Sequence, residues 1–219
     1  MSSGPLRFRD RADAGRQLAW RLAALAAERP VVVALPRGGV VVADEIARTL
    51  DAPLDVLVAR KLGAPRQPEF GVGAIAPGGM RIVDLQAVSL MGMTDEDLER
   101  VTRKERDEMR RRDRLYRDDR PALDVDGRVV ILVDDGIATG VTVRAAVMAL
   151  RALGTRRVIL AVGVCSRDAA AAIRPIVDDF VALIIPADLF AIGTYYDDFD
   201  QVTDDQVIDL LARSRLPPR

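Results

Sequence analysis

Residues 129–142 read VVILVDDGIATGVT, and the reading of this stretch decides the fold. Five consecutive apolar residues, Val129 to Val133, match a strand buried on both faces; a strand with one face in water alternates apolar and polar side chains. The strand runs into two adjacent carboxylates, Asp134 and Asp135, and then into a turn of small and hydroxyl residues. Like charges at neighbouring positions repel, and drawing either out of water is costly unless something compensates it. A doublet at the end of a buried strand therefore implies a partner.

The same pattern recurs on both sides. Helical spacing of Leu18, Leu22 and Leu25 predicts a helix over 10–28, ended by Pro30. VVVAL (31–35) is a short buried strand, PRGG (36–39) a turn, VVVADEIARTL (40–50) a helix and LDVLVAR (54–60) a second strand. KLGAPRQPEFGVGAIAPGG (61–79) is rich in Gly and Pro and reads mostly as a mobile loop, with room for a short strand at 73–76 and with RIVD (81–84) extended after it. A long charged helix spans 94–118, opened by Thr94 and acids in its first turn. After the strand at 129–134, helix and strand alternate: 142–154, 156–164, 166–176 and 178–185. Apolar strands separated by helices predict an α/β fold, doubly wound, with a mainly parallel sheet covered by helices on both faces. Nothing divides the chain, so 1–219 reads as a single domain. In such sheets ligands sit beyond the carboxyl ends of the strands. Four stretches lie at that edge: PRGG, the loop from Lys61, DDGIATGVT, and PADLFAIGTYYDDF (186–199).

Composition narrows the chemistry. A formal charge of −1 gives no electrostatic reason to expect nucleic acid or an anionic membrane as partner. The chain has no histidine, which removes the usual catalytic triads and most zinc sites. Its one cysteine, Cys165, excludes an intrachain disulfide and fits a reducing compartment. No apolar run reaches membrane-spanning length, and the first residues lack a signal-type apolar core, so a soluble, cytoplasmic protein is expected.

The residues after the doublet suit an anion. Gly136 and Gly140 allow close backbone approach, Thr139 and Thr142 offer hydroxyls, and a helix begins near Thr142. Its free amides and the positive end of its dipole favour phosphate. Carboxylates beside a phosphate nest are reconciled if the phosphate belongs to a sugar whose vicinal hydroxyls donate to the acids, as in a ribose 5-phosphate, with Mg2+ held through water. The plainer alternative is a strand that ends at an acidic turn and helix cap; receiver domains also pair acids after a strand, but lack the Thr-Gly-x-Thr loop.

At this point the stretch resembles a known family. From Val129 to Thr142 it is similar to the phosphoribosyl pyrophosphate (PRPP) signature of the type I phosphoribosyltransferases: an apolar run, two acids, and a small-residue loop ending in Thr-Gly-x-Thr. The resemblance implies that Asp134 and Asp135 contact the ribose hydroxyls, and that Ala138, Thr139, Gly140, Val141 and Thr142 wrap the 5-phosphate. PRGG resembles the family's pyrophosphate loop, which would bring Arg37 and the amides of Gly38 and Gly39 to the pyrophosphate. The loop from Arg60 and Lys61 resembles the flexible loop that closes over PRPP; lysine occurs only at 61 and 104, and Lys61 is the candidate catalytic lysine. IPADLFAIGTYYDDF (185–199) resembles the C-terminal hood of hypoxanthine-guanine phosphoribosyltransferases, making 186–200 a small hood segment. By position Phe190 would stack on a base, worth about 1–3 kcal/mol, Ala191 would meet its edge, and Asp197 would join Asp134 and Asp135 in holding Mg2+. A plainer role for Phe190, Tyr195, Tyr196 and Phe199 is to close the end of the core.

Two positions depart from the purine enzymes. Ala138 stands where they carry an acid, and VGVCSR (162–167) lacks the lysine that reads a 6-oxo group. The opening RFRDR (7–11) is instead similar to a sparsely characterised group of bacterial phosphoribosyltransferases. The resemblance implies a Mg2+-dependent transfer of ribose 5-phosphate from PRPP to a nitrogen acceptor, a nucleobase, in a homodimer; a PRPP-binding sensor without catalysis is the alternative. RKERDEMRRRDRLYRDDR (103–120) pairs most of its charges three or four residues apart (Arg103–Asp107, Asp107–Arg111, Glu108–Arg112, Asp113–Arg117), which predicts a solvated or subunit-facing helix rather than an RNA surface.

Overall fold

The computed structural model describes residues 7–118, 121, 122 and 124–214, Glu69 by its backbone alone. Residues 1–6, read above for a leader, and Asp119 and Arg120 of the charged run lie outside the described residues. In chain order the elements are α1 (Arg11–Leu22), β1 (Val31–Ala34), α2 (Gly38–Leu50), β2 (Leu54–Val56), β3 (Arg60–Ala64), β4 (Gln67–Ala76), β5 (Met80–Val83), α3 (Leu85–Leu90) and α4 (Asp95–Arg117). They continue with β6 (Val129–Ile137), α5 (Val141–Ala152), β7 (Arg157–Cys165), α6 (Arg167–Ile173), β8 (Asp179–Ile184) and α7 (Asp204–Ser214).

Five strands form a parallel sheet in the order β2-β1-β6-β7-β8. Their apolar runs are continuous because both faces are covered. Val32, Ala34, Ile131, Val133, Ile159 and Ala161 pack with residues of α1, α2 and α7. Val31, Val33, Val130, Leu132, Val158 and Leu160 pack on the opposite side with α5 and α6. Chain order reverses between β1 and β6, the crevice where ligands bind in open α/β sheets. The expected doubly wound α/β architecture is what the chain adopts.

Several boundaries move. β6 runs on to Ile137, pairing Asp134 with Val162 and Ile137 with Cys165 on β7, so the doublet lies within the strand. The expected mobile loop at 61–79 is largely a second, antiparallel sheet, β3-β4-β5. Its glycines serve packing: a Cβ on Gly63 would lie 2.2 Å from the Pro68 carbonyl oxygen, and one on Gly73 2.2 Å from that of Ile82. Leu62, Ala64, Val72 and Ile75 bury one face of this sheet against Ala87 of α3 and Leu98 of α4. Neither α3 nor α7 was expected.

Helix α4 begins with a capping box between Thr94 and Asp97. Of the four expected pairs, Glu108–Arg112 and Asp113–Arg117 form, at 2.7 and 2.8 Å. Arg111 binds Glu108 in place of Asp107. The helix is also tied to the protein: Arg117 reaches the buried Asp55 at 2.6 Å, and Arg60 of β3 pairs with Glu105 at 2.6 Å. Among the described residues no helix is long and apolar enough to cross a membrane.

Candidate active site

Most helices of this chain begin under a side-chain cap. Asp10, Asp84, Thr94, Ser166 and Thr203 each accept from a first-turn amide of α1, α3, α4, α6 and α7. Helices α2 and α5 have no such cap. These two follow β1 and β6, the strands that flank the switch point. Uncapped first-turn amides need an outside acceptor, and the helix dipole favours a negative one. Gly140 precedes α5 with φ +75°, a left-handed conformation natural to glycine, and Ala138 and Thr139 before it are exposed.

The acidic doublet lies against the start of α2. A Cβ on Gly38 would fall 1.9 Å from Asp135 Oδ2, and one on Gly39 3.1 Å from the Asp134 Cα. PRGG and the doublet are thus in direct contact, and the glycines make room for the acids. The Pro36–Arg37 peptide is cis.

The question of what compensates the doublet has a divided answer. Asp135 has a partner that the sequence reading did not find: Arg11 Nε donates to its Oδ2 at 2.7 Å. No local signal in the sequence marks this pair, whose members stand 124 residues apart. Asp134 accepts the Asp135 amide at 2.9 Å. Although part of its surface is accessible, burial holds its carboxyl well above the usual carboxylate range. The neighbouring Asp135 adds to this, and Arg11 offsets it only in part.

The hood closes over the doublet from the C-terminal side. Tyr196 is buried, and its hydroxyl donates to the Asp135 carbonyl oxygen at 2.7 Å. It stacks on Phe199 and touches Phe8, while Ile192 packs against Gly136. Tyr196 and Phe199 therefore close the core, as the plainer reading had it. Phe190 differs: it is 95% exposed and lines an open cleft of about 680 Å3 with Leu189, Asp188, Ala138, Thr139, Ser166 and Arg167. Ala138 and Thr139 of the loop before α5 and the aromatic Phe190 thus share one cleft. Ala191, next in the chain, is exposed and extended. The Ser166 hydroxyl donates to the Ala138 carbonyl oxygen at 2.6 Å, fixing the loop to the start of α6.

The other candidates are placed as follows. Arg37 lies 3.7 Å from Asp204 of α7, which also accepts the Tyr116 hydroxyl at 2.6 Å. Asp197 pairs with Arg7 at 3.4 Å. Lys61 lines a separate cavity of about 330 Å3 with Arg60, Lys104 and Glu105, which shares no residue with the cleft. Among the described residues no three acidic, histidine or cysteine side chains gather as a metal-binding group. The doublet offers hard oxygen donors with one cation partner between two carboxylates. That fits Mg2+, which takes one or two carboxylates and fills its shell from water and substrate phosphates.

The chain matches the phosphoribosyl transferase domain family over residues 8–198. It is 45% identical over 207 residues to "Putative phosphoribosyl transferase Rv0571c" of Mycobacterium tuberculosis H37Rv, covering 94% of this chain and 47% of that protein. The chain thus spans about half the length of the curated relatives it matches. TT1426 from Thermus thermophilus superposes with a TM-score of 0.80 at 46% identity, covering 95% of this chain and 99% of its own. A hypothetical protein from Neisseria gonorrhoeae shares the fold alone, with a TM-score of 0.52 at 15% identity, covering 97% of this chain and 100% of that one. The chain belongs to the phosphoribosyl transferase domain family.

Proposed function

We propose that this protein transfers the ribose 5-phosphate of PRPP to a nitrogen acceptor, a nucleobase, and releases pyrophosphate. The observation that carries this reading is the pair of uncapped helix starts, α2 and α5, on either side of the acidic doublet. The amides of α5 and the hydroxyls of Thr139 and Thr142 would take the 5-phosphate. The amides of Gly38 and Gly39, with Arg37, would take the pyrophosphate, and Asp134 and Asp135 the ribose hydroxyls between them.

In the reaction the anomeric C–O bond to pyrophosphate breaks as a C–N bond to the acceptor forms. The bonding electron pair leaves with pyrophosphate, and the acceptor nitrogen gives up its proton to the departing pyrophosphate. Positive charge develops on the sugar, where the two carboxylates stabilise it, and negative charge on the leaving group, where Arg37 and the first turn of α2 oppose it. Asp134 and Asp135 would hold Mg2+; Asp197 could join them after parting from Arg7. Bound there, Mg2+ would supply further positive charge to the leaving group. An incoming base would stack on Phe190 at the open cleft.

A second reading, a PRPP-binding sensor without turnover, is favoured by Ala138, which offers no carboxylate to the acceptor, and by the seat of Lys61 in a different cavity. Pyrophosphate release from PRPP and Mg2+, measured with a panel of purine and pyrimidine bases against a no-base control, separates the two. Release that depends on one base is expected. Tight PRPP binding with no release for any base would select the sensor.

A further inference from the structure

The stretch Phe8–Arg11 has no part in the scheme above, yet it ends at the doublet. Arg11 opens α1, and its side chain is only 11% exposed. Besides the Nε bond to Asp135, NH1 donates to the Asp200 carbonyl oxygen at 2.8 Å. The guanidinium lies over the Phe199 ring, 3.8 Å from its centroid. A Cβ on Gly38 would lie 2.9 Å from Arg11 Nε, so the same group also lies against the first turn of α2. One side chain touches the doublet, the PRGG turn and the hood.

We propose that Arg11 is a positioning residue of this site: it fixes the Asp135 carboxylate for a ribose hydroxyl of PRPP and ties that carboxylate to the hood. The proposal rests on the PRPP reading above. An exposed ion pair would contribute little, but this one is shielded, charge-assisted and held on three sides. With Oδ2 engaged by Arg11, the Asp135 carboxylate is held in one orientation for a ribose hydroxyl. The fork is specific to arginine: Nε and NH1 serve two acceptors at once while the planar group stacks on Phe199, and a lysine ammonium cannot reproduce that.

The test is calorimetric titration with PRPP and Mg2+ of the wild-type protein, Arg11→Met, Arg11→Lys, Asp135→Asn and the Arg11→Met/Asp135→Asn double variant, with circular-dichroism melts as a check on folding. Loss of a charged hydrogen bond predicts that Arg11→Met weakens PRPP roughly tenfold or more, with Arg11→Lys in between. Because Arg11 acts through Asp135, Arg11→Met should add little in the Asp135→Asn background. Inorganic phosphate, which has no ribose, should bind wild type and Arg11→Met alike. Equal PRPP affinity of wild type and Arg11→Met would overturn this role alone, and so would additive losses in the double variant, which would mark a merely structural arginine. No PRPP binding by the wild-type protein would overturn the PRPP reading and this role with it. Should Arg11→Met fail to fold, Arg11→Lys decides, since it keeps the charge and removes the fork; unchanged affinity there overturns the proposal.

Discussion

Asp134 sits where a neutral group would be more stable. Burial and the neighbouring Asp135 raise its carboxyl well above the ordinary range, and Arg11 spends its hydrogen bond on Asp135. At pH 7 the wild-type protein must either keep a proton on Asp134 or leave a charge buried; Asp134→Asn does neither. The substitution should therefore raise the melting temperature at pH 7. Below the ordinary carboxylate pKa of about 4, folded and unfolded chains both carry the protonated acid, and the two proteins should melt alike. The gain should open as pH rises from there, as the unfolded chain loses its proton first, and level off once the folded carboxyl also titrates. Melting both proteins between about pH 3.5 and about pH 8 checks this, and a lower melting temperature for Asp134→Asn at pH 7 would contradict it. The same variant should lose PRPP binding, so stability and function would move in opposite directions. The doublet itself was legible in the sequence, because charges at the end of an apolar run need a reason. What compensated them was not legible: Arg11 is 124 residues away, and no local pattern couples the two.

Among the elements, α4 shows how a charged surface can conceal one essential contact. Its many arginines read as equivalents, and spacing foretold Glu108–Arg112 and Asp113–Arg117. Spacing could not foretell that Arg117 also reaches Asp55, 3% exposed on β2, and the Val56 carbonyl oxygen at 2.7 Å. Removing one partner of a buried pair leaves the other in a poor environment, whereas exposed pairs contribute about 1 kcal/mol or less. Arg117→Ala should then lower unfolding free energy by roughly 3 kcal/mol, and Arg111→Ala by less than about 1 kcal/mol, in urea denaturation. Similar small losses for both would show that Asp55 is satisfied without Arg117. The strand β3 and the first part of β4 were misread for a related reason. Gly and Pro usually mark turns, but Gly63 and Gly73 stand where neighbouring backbone leaves no room for a side chain. β6 outran its expected end at Asp134 because Asp135 and Gly136 look like loop residues, while Gly136 and Ile137 still pair with β7.

On the scale of the whole molecule, the first and the last of the described segments converge on one edge of the sheet. Phe8 and Arg11 arrive from the N-terminal side, Tyr196, Phe199 and α7 from the C-terminal side, and the central signature lies between them. The parallel sheet and the loops at its carboxyl edge followed from alternating apolar runs; the order of the strands and the closure did not, because they depend on contacts between distant parts of the sequence. The pair Arg37–Asp204 belongs to this closure. At 3.7 Å, with both side chains about a quarter exposed, it is loose, and Asp204 is anchored independently by the Tyr116 hydroxyl from α4. An anion arriving at Arg37 would meet the negative charge of Asp204 as well. Asp204→Asn keeps an acceptor for Tyr116 and removes that charge, so inorganic pyrophosphate should bind more tightly, by a few-fold at most, since a partly exposed pair is worth about 1 kcal/mol or less. The gain should shrink as salt is added, because exposed charges are screened. Calorimetry with pyrophosphate at low and high salt would measure both effects. A loss of affinity would carry the opposite meaning, that Asp204 holds Arg37 in its working position and that α4 and α7 act on the anion through it.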